Sequence, residues 1–333
     1  KITYNYRVII TKNTRLVLAK DLPSELISDI KAAKKHIAIT VATLHNDCAE
    51  VEELLTELEN ATGRGVAVSL MVDTLTYTDS IFKQQRRGLQ ALKLERRMKQ
   101  AGVVFQWLGK NTPISFLART HCKWMIIDDI VYSFGGVNLD KESFTNIDYM
   151  LRIENDSLAE KIFETHFDIS TKDRSSVGVR NVTFADSEST VIIDGGMPMN
   201  SEIYARCTQL AKKARKITIV SQYGPTGKLM RIASRSPKAD FYFNKIKNAT
   251  FLNSVILSFS LLNHKYNSYK KDQYLHAKFI IFSLKNNHKV AILGSHNFVN
   301  GTGIIGTREI ALETTNIQVI KMLEDFIKQQ VKS

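Results

Sequence analysis

Two segments of the sequence place a lysine two residues after a histidine. They are His121-Cys122-Lys123 and His276-Ala277-Lys278, and no other histidine among the eight has a lysine at that spacing. Each segment opens a run of β-prone residues, 124–127 and 279–282. Because residues i and i+2 of a strand point to the same face, each imidazole is expected beside an ammonium group. That pairing suits nucleophilic or acid–base chemistry on an anionic group.

A small-residue element and then a carboxylate follow both histidine–lysine pairs in the same order. They are Gly135-Gly136-Val137-Asn138 with Asp148, and Gly294-Ser295-His296-Asn297 with Glu309. Gly136 and Ser295 are small, which allows close approach to the backbone, and both are predicted to bind substrate. The amides of Asn138 and Asn297 can donate to an anionic oxygen. The repetition of the whole arrangement favours a catalytic site over two unrelated strand histidines.

The elements that must position these residues also occur twice. In the first half, a helix ending in a basic cluster precedes a short strand at 37–41, and a helix at 49–60 then leads to a strand at 66–72. This β-α-β order predicts a parallel sheet with a helical crossover. In the second half, another helix with a basic end precedes a strand at 217–220. Self-similarity in a fixed order indicates duplication.

The predicted joint between the halves is the polar stretch at 171–190. It divides the chain into an N-terminal half, residues 1–180, and a C-terminal half, residues 181–333, each with one motif. A length of 333 residues is enough for two ordinary domains or for one pseudo-symmetric body.

The charge balance favours anionic partners. The formal net charge is +13, and basic residues are dense in the predicted helix at 81–100. A phosphodiester substrate, either phospholipid or nucleic acid, and a peripheral membrane surface all fit this excess, and charge alone does not choose among them. The helix at 81–100 is interpreted as a solvated face, with contact to lipid headgroups or a nucleic-acid backbone as the alternative.

Cysteine usage and hydropathy bear on location. The three cysteines form no C-x-x-C pair, which fits a reducing compartment, and no apolar run reaches transmembrane length. We therefore expect a cytoplasmic protein or one peripheral to the inner face of a membrane. The sequence starts at Lys1 rather than Met, so removal of an N-terminal anchor stays an open alternative. The sequence does not predict the oligomeric state.

The remaining histidines and a tyrosine-rich segment have less specific interpretations. His296 is expected to shape the pocket, and the other five are expected to be surface or structural residues: His36, His45, His166, His264 and His288. Tyr266, Tyr269 and Tyr274 alternate with lysines just before the second motif. They are predicted to anchor a loop, with base stacking or a headgroup site as the alternative.

The motif pair resembles the phospholipase D superfamily. The H-x-K-x-x-x-x-D pattern of that family is complete in the first half as His121, Lys123 and Asp128, whereas the second half has Ser283 at the aspartate position. The resemblance implies that this aspartate is structural, so its loss leaves the chemistry intact. Stretches at 101–105 and 146–154 are similar to bacterial cardiolipin synthases, although nuclease members share much of them.

The resemblance also implies a fold and a mechanism. The expected fold is α/β, with two pseudo-symmetric α/β/α sandwich halves whose mixed, mainly parallel sheets meet at a central active-site cleft. His121 is expected to attack phosphorus and form a phosphohistidine, while His276 acts as acid and then base. The expected supporting groups are Lys123, Lys278, Asn138 and Asn297 on the phosphate oxygens, and Asp148 and Glu309 on the histidine rings. No metal or other cofactor is expected.

Three functions compete. The first is phosphatidyl transfer or hydrolysis on phospholipids in the manner of cardiolipin synthase or phospholipase D. The second is a nuclease that uses the same centre on DNA or RNA, with the basic charge binding the phosphate backbone. The third is a catalytically silent binding protein, which the two complete histidine–lysine pairs disfavour.

Overall fold

Two seven-stranded β-sheets, one from each half of the chain, make up the sheet structure of the described residues. The structure is a computed structural model. It describes residues 13–74, 76, 85–109, 119–173, 179–236, 238–244, 269–300 and 306–332, without the side chains of 85–88. Within these segments, no helix is long and apolar enough to cross a membrane.

The first sheet has the strand order β1-β7-β6-β5-β2-β3-β4. Its strands are β1 (Thr14–Leu18), β2 (His36–Val41), β3 (Ala67–Asp73), β4 (Val104–Leu108), β5 (Trp124–Ile127), β6 (Ile130–Ser133) and β7 (Tyr149–Glu154). The helices of this half are α1 (Leu22–Ala32), α2 (Ala49–Gly63), α3 (Gln85–Gln100), α4 (Lys141–Thr145) and α5 (Asp156–Lys172). The predicted start of α3 at residue 81 lies outside the described residues.

The second sheet has the strand order β11-β10-β12-β13-β14-β9-β8. Its strands are β8 (Val182–Ala185), β9 (Ser189–Gly195), β10 (Lys216–Val220), β11 (Lys238–Tyr242), β12 (Phe279–Ser283), β13 (Lys289–Gly294) and β14 (Arg308–Thr314). The helices of this half are α6 (Glu202–Lys213), α7 (Gly227–Ala233) and α8 (Ile317–Phe326). The first sheet thus ends at residue 154 and the second begins at 182.

The two sheets repeat one another. Six strands of the first sheet have a counterpart at the same position in the second, and the matched pairs are β3 with β11, β2 with β10, β5 with β12, β6 with β13, β7 with β14, and β1 with β9. The strands predicted as duplicates from Ile37 and Ile217 are β2 and β10, each preceded by a helix. The predicted α/β fold with two pseudo-symmetric halves is confirmed.

The prediction that the sheets are mainly parallel is wrong. Only the β2–β3, β3–β4 and β10–β11 pairs are parallel, and the other pairs are antiparallel. Each parallel pair comes from a β-α-β segment, because the crossover helix returns the chain to the end of the sheet where the first strand began. Each motif strand instead turns back at once, β5 into β6 and β12 into β13, and a short hairpin makes antiparallel neighbours.

Helices cover both faces of each sheet. On the outer faces, α1, α2 and α3 pack on the first sheet and α6 and α7 on the second. On the inner faces, α5, α8 and side chains from both sheets share one hydrophobic core. Polar side chains cap several of these helices: Asn155 at α5, Ser201 at α6 and Asn316 at α8 each accept from a first-turn amide. The shared core places the two sheets face to face.

Asp128 holds a turn rather than the active site. It has φ of 52° in the β5–β6 hairpin, and its carboxylate accepts from the amides of Lys34, Lys35 and His36 at 2.8–3.0 Å. In the second half, Ser283 ends β12 and a longer turn follows, with positive φ at Asn286 and Asn287. The structural role implied for this aspartate therefore agrees with its contacts.

Candidate active site

Both histidine–lysine motifs lie directly before a strand rather than within it. His121 and Lys123 precede β5, and His276 and Lys278 precede β12. The alternation expected of a strand still holds, because the intervening Cys122 is buried in the core between the sheets. Ala277 has the same position in the second motif. Each motif therefore turns its histidine and lysine together away from the core.

The two lysines are fully buried and fixed by their own motifs. Lys123 Nζ donates to the carbonyl oxygen of His121 at 2.9 Å, and Lys278 Nζ donates to that of His276 at 2.5 Å. Because an ammonium group has three donors, each lysine has further hydrogens for an anionic ligand. The lysines are thus positioned before any substrate arrives.

Each motif segment pairs with backbone from the other half. The His121 amide donates to the Arg308 carbonyl at 2.9 Å, and the His276 amide donates to the Ile147 carbonyl at 3.0 Å. Short parallel bridges, Thr120 with Arg308 and Ile147 with Leu275, accompany these bonds. The residues that follow Arg308 and Ile147 are the two predicted carboxylates. This pairing brings the carboxylate of each half to the histidine of the other.

The histidine–carboxylate contacts are consequently crosswise. His121 Nδ1 lies 3.0 Å from Glu309 Oε2, and His276 Nδ1 lies 2.7 Å from Asp148 Oδ2. Nδ1 of each ring is engaged by a carboxylate, which favours the tautomer whose Nε2 lone pair is free. The structure therefore brings both predicted carboxylates to the predicted histidines.

Gly136 and Ser295 hold the carboxylates. The Gly136 amide donates to Asp148 Oδ1 at 3.3 Å, and Ser295 Oγ donates to Glu309 Oε2. A Cβ at position 136 would overlap the Asp148 carboxylate and lie 2.8 Å from Lys278 Nζ. Glycine is thus required because this backbone lies against Asp148 of its own half and against Lys278 of the opposite half. Substrate binding by Gly136 and Ser295 stays a prediction.

The two predicted asparagines are both buried but differ in their contacts. Asn138 Oδ1 accepts from the amides of Ala42 and Thr43 at 3.2 and 3.3 Å, which leaves its NH2 group to donate. Asn297 is similarly buried, and its Oδ1 has no hydrogen-bond partner among the described residues. Asn138 is therefore oriented as a donor by the end of β2, whereas the Asn297 amide has no comparable anchor on its oxygen.

Burial keeps both imidazoles in their neutral form. Desolvation lowers the pKa of His276 to about 4, and the positive charge of Lys278 adds to this effect. Desolvation also lowers the pKa of His121, against the opposing attraction of Glu309. Near neutral pH, each ring thus carries a proton on only one of its two nitrogens.

The charged groups around the rings are also perturbed. Burial lowers the pKa of Lys123 to about 8 and that of Lys278 to about 7, despite the nearby carboxylates. Burial raises the pKa of Glu309, but the His121 ring outweighs it and the result is about 2. For Asp148, burial raises the pKa, but the hydrogen bond and charge of His276 and the charge of Lys278 together lower it below its usual value. Several perturbed groups in one place are typical of functional sites.

Two buried ion pairs beside the first motif were not predicted. Arg119 Nη1 donates to Asp73 Oδ1 at 2.9 Å, and Arg308 Nη1 pairs with Asp173 Oδ1. Arg119 lies two residues before His121, and Arg308 lies next to Glu309. No sequence pattern marks these arginines, because their partners come from distant segments. They fix the backbone that carries the catalytic candidates.

The other predicted residues have mainly structural contacts. His296 is buried and its Nδ1 accepts from the Phe298 amide at 2.8 Å. His166 is buried between Thr40, Ser69 and Trp124, which fits its structural interpretation. In the tyrosine-rich segment, Tyr269 is buried and donates to a loop carbonyl, whereas Tyr274 stacks on the His276 ring with centroids 6.4 Å apart. Tyr266 and His264 lie outside the described residues.

Comparisons with known proteins agree with this architecture. Residues 26–169 match the family described as cardiolipin synthase, PLD-like domain. The phosphatidylserine synthase structure from Haemophilus influenzae Rd KW20 matches with a TM-score of 0.72 at 12% identity, over 97% of this chain and 87% of that one. Polyphosphate kinase from Porphyromonas gingivalis matches with a TM-score of 0.65 at 12% identity, over 96% of this chain. The chain spans 50% of that kinase. No curated protein matches the sequence. The resemblance drawn from the motif residues is confirmed.

Proposed function

We propose that this chain is a phospholipase D-superfamily enzyme that cleaves a phosphodiester in two displacements through a phosphohistidine, with a phospholipid as its substrate. The observation that carries the proposal is the pair of partly buried histidines, each held by a carboxylate of the opposite half. Splitting the reaction in two suits a phosphodiester, whose alkoxide is a poor leaving group.

The first displacement is assigned to His121. With Nδ1 held by Glu309, the Nε2 lone pair attacks phosphorus and forms the N–P bond as the P–O bond to the leaving alcohol breaks. His276 gives its Nε2 proton to the departing oxygen. Lys123, Lys278 and the asparagine amides hold the non-bridging oxygens as charge develops, which is the electrostatic work of the site.

The substrate itself supplies the condition for acid catalysis. In the free site, the pKa of His276 is about 4, mainly because of burial, so the ring is neutral near pH 7. A bound phosphodiester is an anion, and an anion beside an imidazole raises the pKa of that imidazole. Substrate binding and proton uptake by His276 are therefore coupled.

The second displacement reverses the roles. Water or an alcohol gives its proton to neutral His276 and attacks phosphorus, and the N–P bond breaks with its electron pair returning to His121. Water gives hydrolysis, and the hydroxyl of a second lipid gives phosphatidyl transfer. The residues of the site serve both outcomes equally.

The lipid assignment rests on two observations. The matched family is described as cardiolipin synthase, and the phosphatidylserine synthase structure covers nearly the whole chain. A phospholipid substrate also implies a peripheral membrane surface as partner, which the net charge of +13 favours. The same charge favours the second candidate, a nuclease with this centre acting on DNA or RNA.

One assay separates the two candidates. The protein is incubated in EDTA with phosphatidylglycerol vesicles and, separately, with labelled single- and double-stranded DNA and RNA. Lipid product without nucleic-acid cleavage is the expected result, and His121→Ala and His276→Ala should each remove it almost completely. Cleavage of nucleic acid alone would replace the lipid assignment with the nuclease. Near-normal turnover of both histidine variants would overturn the mechanism.

A further inference from the structure

Helix α3 has an apolar side that faces away from the protein. Its inner side packs Leu94 and Met98 into the core of the first sheet. Its outer side exposes Leu89 by 63% and Leu92 by 52%. Two neighbouring leucines this exposed on one helix need a partner, because isolated apolar residues on a surface are ordinary but clustered ones mark contact sites.

Basic side chains surround these leucines. Lys93 and Arg96 are exposed and form no ion pair in the described part of the chain. By contrast, Arg97 points toward α2, where it pairs with Glu52 and Glu59. The outer side of α3 thus combines exposed leucines with uncompensated positive charge.

A surface pocket lies along the same side of the helix. Its volume is about 490 Å3, and it is lined by Leu92, Glu95, Arg96, Lys99 and Gln100. The one acidic group there, Glu95, already pairs with Lys99 at 2.7 Å and accepts from Trp107 Nε1 at 2.7 Å. The surface beside Leu92 therefore offers both an apolar wall and cationic groups.

The N-terminal half of α3, which carries Leu89 and Leu92, lies at the same end of the sheet as the active site. Strands β3 and β4 are parallel, so α3 runs back between them and begins at the end where β3 finishes. Just after β3, the Thr74 side chain accepts from Arg119, which lies two residues before His121. Leu89 and Leu92 lie in the first half of the helix, so they are closer to this end of the sheet than the C-terminus of the helix is.

We propose that the outer face of α3, formed by Leu89, Leu92, Lys93 and Arg96, docks on an anionic phospholipid bilayer. Apolar side chains flanked by lysine and arginine are the pattern of a helix that lies in a membrane interface. Each basic group near an anionic bilayer adds attraction, and each buried leucine adds apolar area. A nucleic-acid backbone matches the charges but has no use for the two leucines. The proposal rests on the phospholipid function and names the surface that serves it.

Vesicle binding tests the docking face directly. The full chain is sedimented with vesicles of phosphatidylglycerol and phosphatidylcholine, and with pure phosphatidylcholine. The wild type should bind the anionic vesicles and bind pure phosphatidylcholine at least about tenfold more weakly. The Leu89→Glu/Leu92→Glu and Lys93→Glu/Arg96→Glu variants should each weaken binding to the anionic vesicles by at least about tenfold.

Matched variants elsewhere control for charge and hydrophobicity. Phe167 and Ile317 are exposed by 63% and 81%, so Phe167→Glu/Ile317→Glu makes the same kind of change on other helices. Lys212→Glu/Lys213→Glu reverses two exposed charges at the end of α6. Both controls should bind anionic vesicles like the wild type. Equal loss in the controls, or wild-type binding by the α3 variants, would overturn the assignment of the face.

A parallel activity assay separates docking from chemistry. The α3 variants should hydrolyse monomeric short-chain phosphatidylglycerol at the wild-type rate while losing turnover on vesicles. If the wild type cleaves monomeric lipid but binds no vesicles, docking fails and the proposed function stands. If α3 mediates vesicle binding while only nucleic acid is cleaved, the lipid function fails and docking stands. Loss of DNA binding, with vesicle binding intact, would make α3 a nucleic-acid surface instead.

Discussion

His121 Nδ1 lies 3.0 Å from Glu309 Oε2, although the two residues are 188 positions apart in the sequence. The contact joins the two halves at the reacting group, and the His276–Asp148 contact repeats it in the opposite sense. Within the described segments, neither half supplies both members of a histidine–carboxylate pair at this site. The site therefore exists only when both halves are folded against each other.

Replacing Glu309 by Gln should lower kcat by about 10²–10⁴ with little change in KM. The amide cannot stabilise the ring as it gains positive charge, and it permits the wrong tautomer of His121. Steady-state kinetics with a phosphodiester substrate measure this effect. Glu313→Gln, on the same strand but paired with Arg206, is the matched control and should keep normal kcat.

A double variant tests whether Glu309 acts through His121. His121→Ala/Glu309→Gln should be no slower than His121→Ala alone, because the carboxylate has no function without its ring. Multiplied losses in the double variant would show instead that Glu309 contributes independently of His121.

Gly136→Ala should lower kcat by about 10²-fold or more while the protein stays folded. The added methyl group would overlap the Asp148 carboxylate and lie 3.0 Å from His276 Nδ1, which displaces reacting groups. Circular dichroism and steady-state kinetics together measure the change. Gly63→Ala is the control, since no atom lies within 4 Å of its added Cβ, and it should leave kcat unchanged. Normal turnover of Gly136→Ala would contradict the close packing at this position.

The rate should fall on the alkaline side at an unusually low pH. Burial lowers the pKa of Lys278 to about 7 and that of Lys123 to about 8. Only the protonated form of each lysine stabilises developing charge, so kcat/KM should decrease as pH rises through about 7–8. A pH profile of kcat/KM in EDTA tests this. A profile that stays flat to about pH 10, near the ordinary lysine pKa, would show that the lysines are not perturbed or not required.

Asp173→Ala should destabilise the protein by about 3–5 kcal/mol. Arg308 is fully buried and has Asp173 as its ion-pair partner, while its Nε and Nη2 atoms have no hydrogen-bond partner in the described part of the chain. Removing the carboxylate leaves an uncompensated buried cation. Urea unfolding measures the loss. Asp168→Ala breaks an exposed pair with Lys172 and should cost no more than about 1 kcal/mol, and equal losses in both variants would argue against the buried pair.

The chemistry-bearing residues and the duplicated elements could be predicted from sequence because both are local patterns. The spacing of His121 and Lys123 follows strand-like alternation. The strand at Ile37 is indicated by a β-prone run next to a helix. The crosswise pairing was not predicted, because the sequence places Asp148 and Glu309 after their own motifs and says nothing of the backbone bridges that bring each to the other half.

Strand direction and the buried arginines also required the structure. A β-α-β segment predicts parallel neighbours correctly, but only for the β2–β3, β3–β4 and β10–β11 pairs. The hairpin at Asp128 reverses the chain, and that reversal sets the direction of the remaining strands. Arg119 and Arg308 depend on partners from distant segments, and long-range ion pairs leave no periodic pattern in a sequence.

Trapping the covalent intermediate tests the central claim most directly. A substrate labelled in the phosphoryl group that is transferred is mixed with the protein in EDTA, quenched under alkaline conditions that preserve phosphohistidine, and the labelled peptides are mapped. We predict a phosphorus-linked adduct on His121 that is absent from His121→Ala. An adduct on His276 alone would exchange the roles of the two histidines, and turnover with no adduct on either histidine would contradict the double displacement.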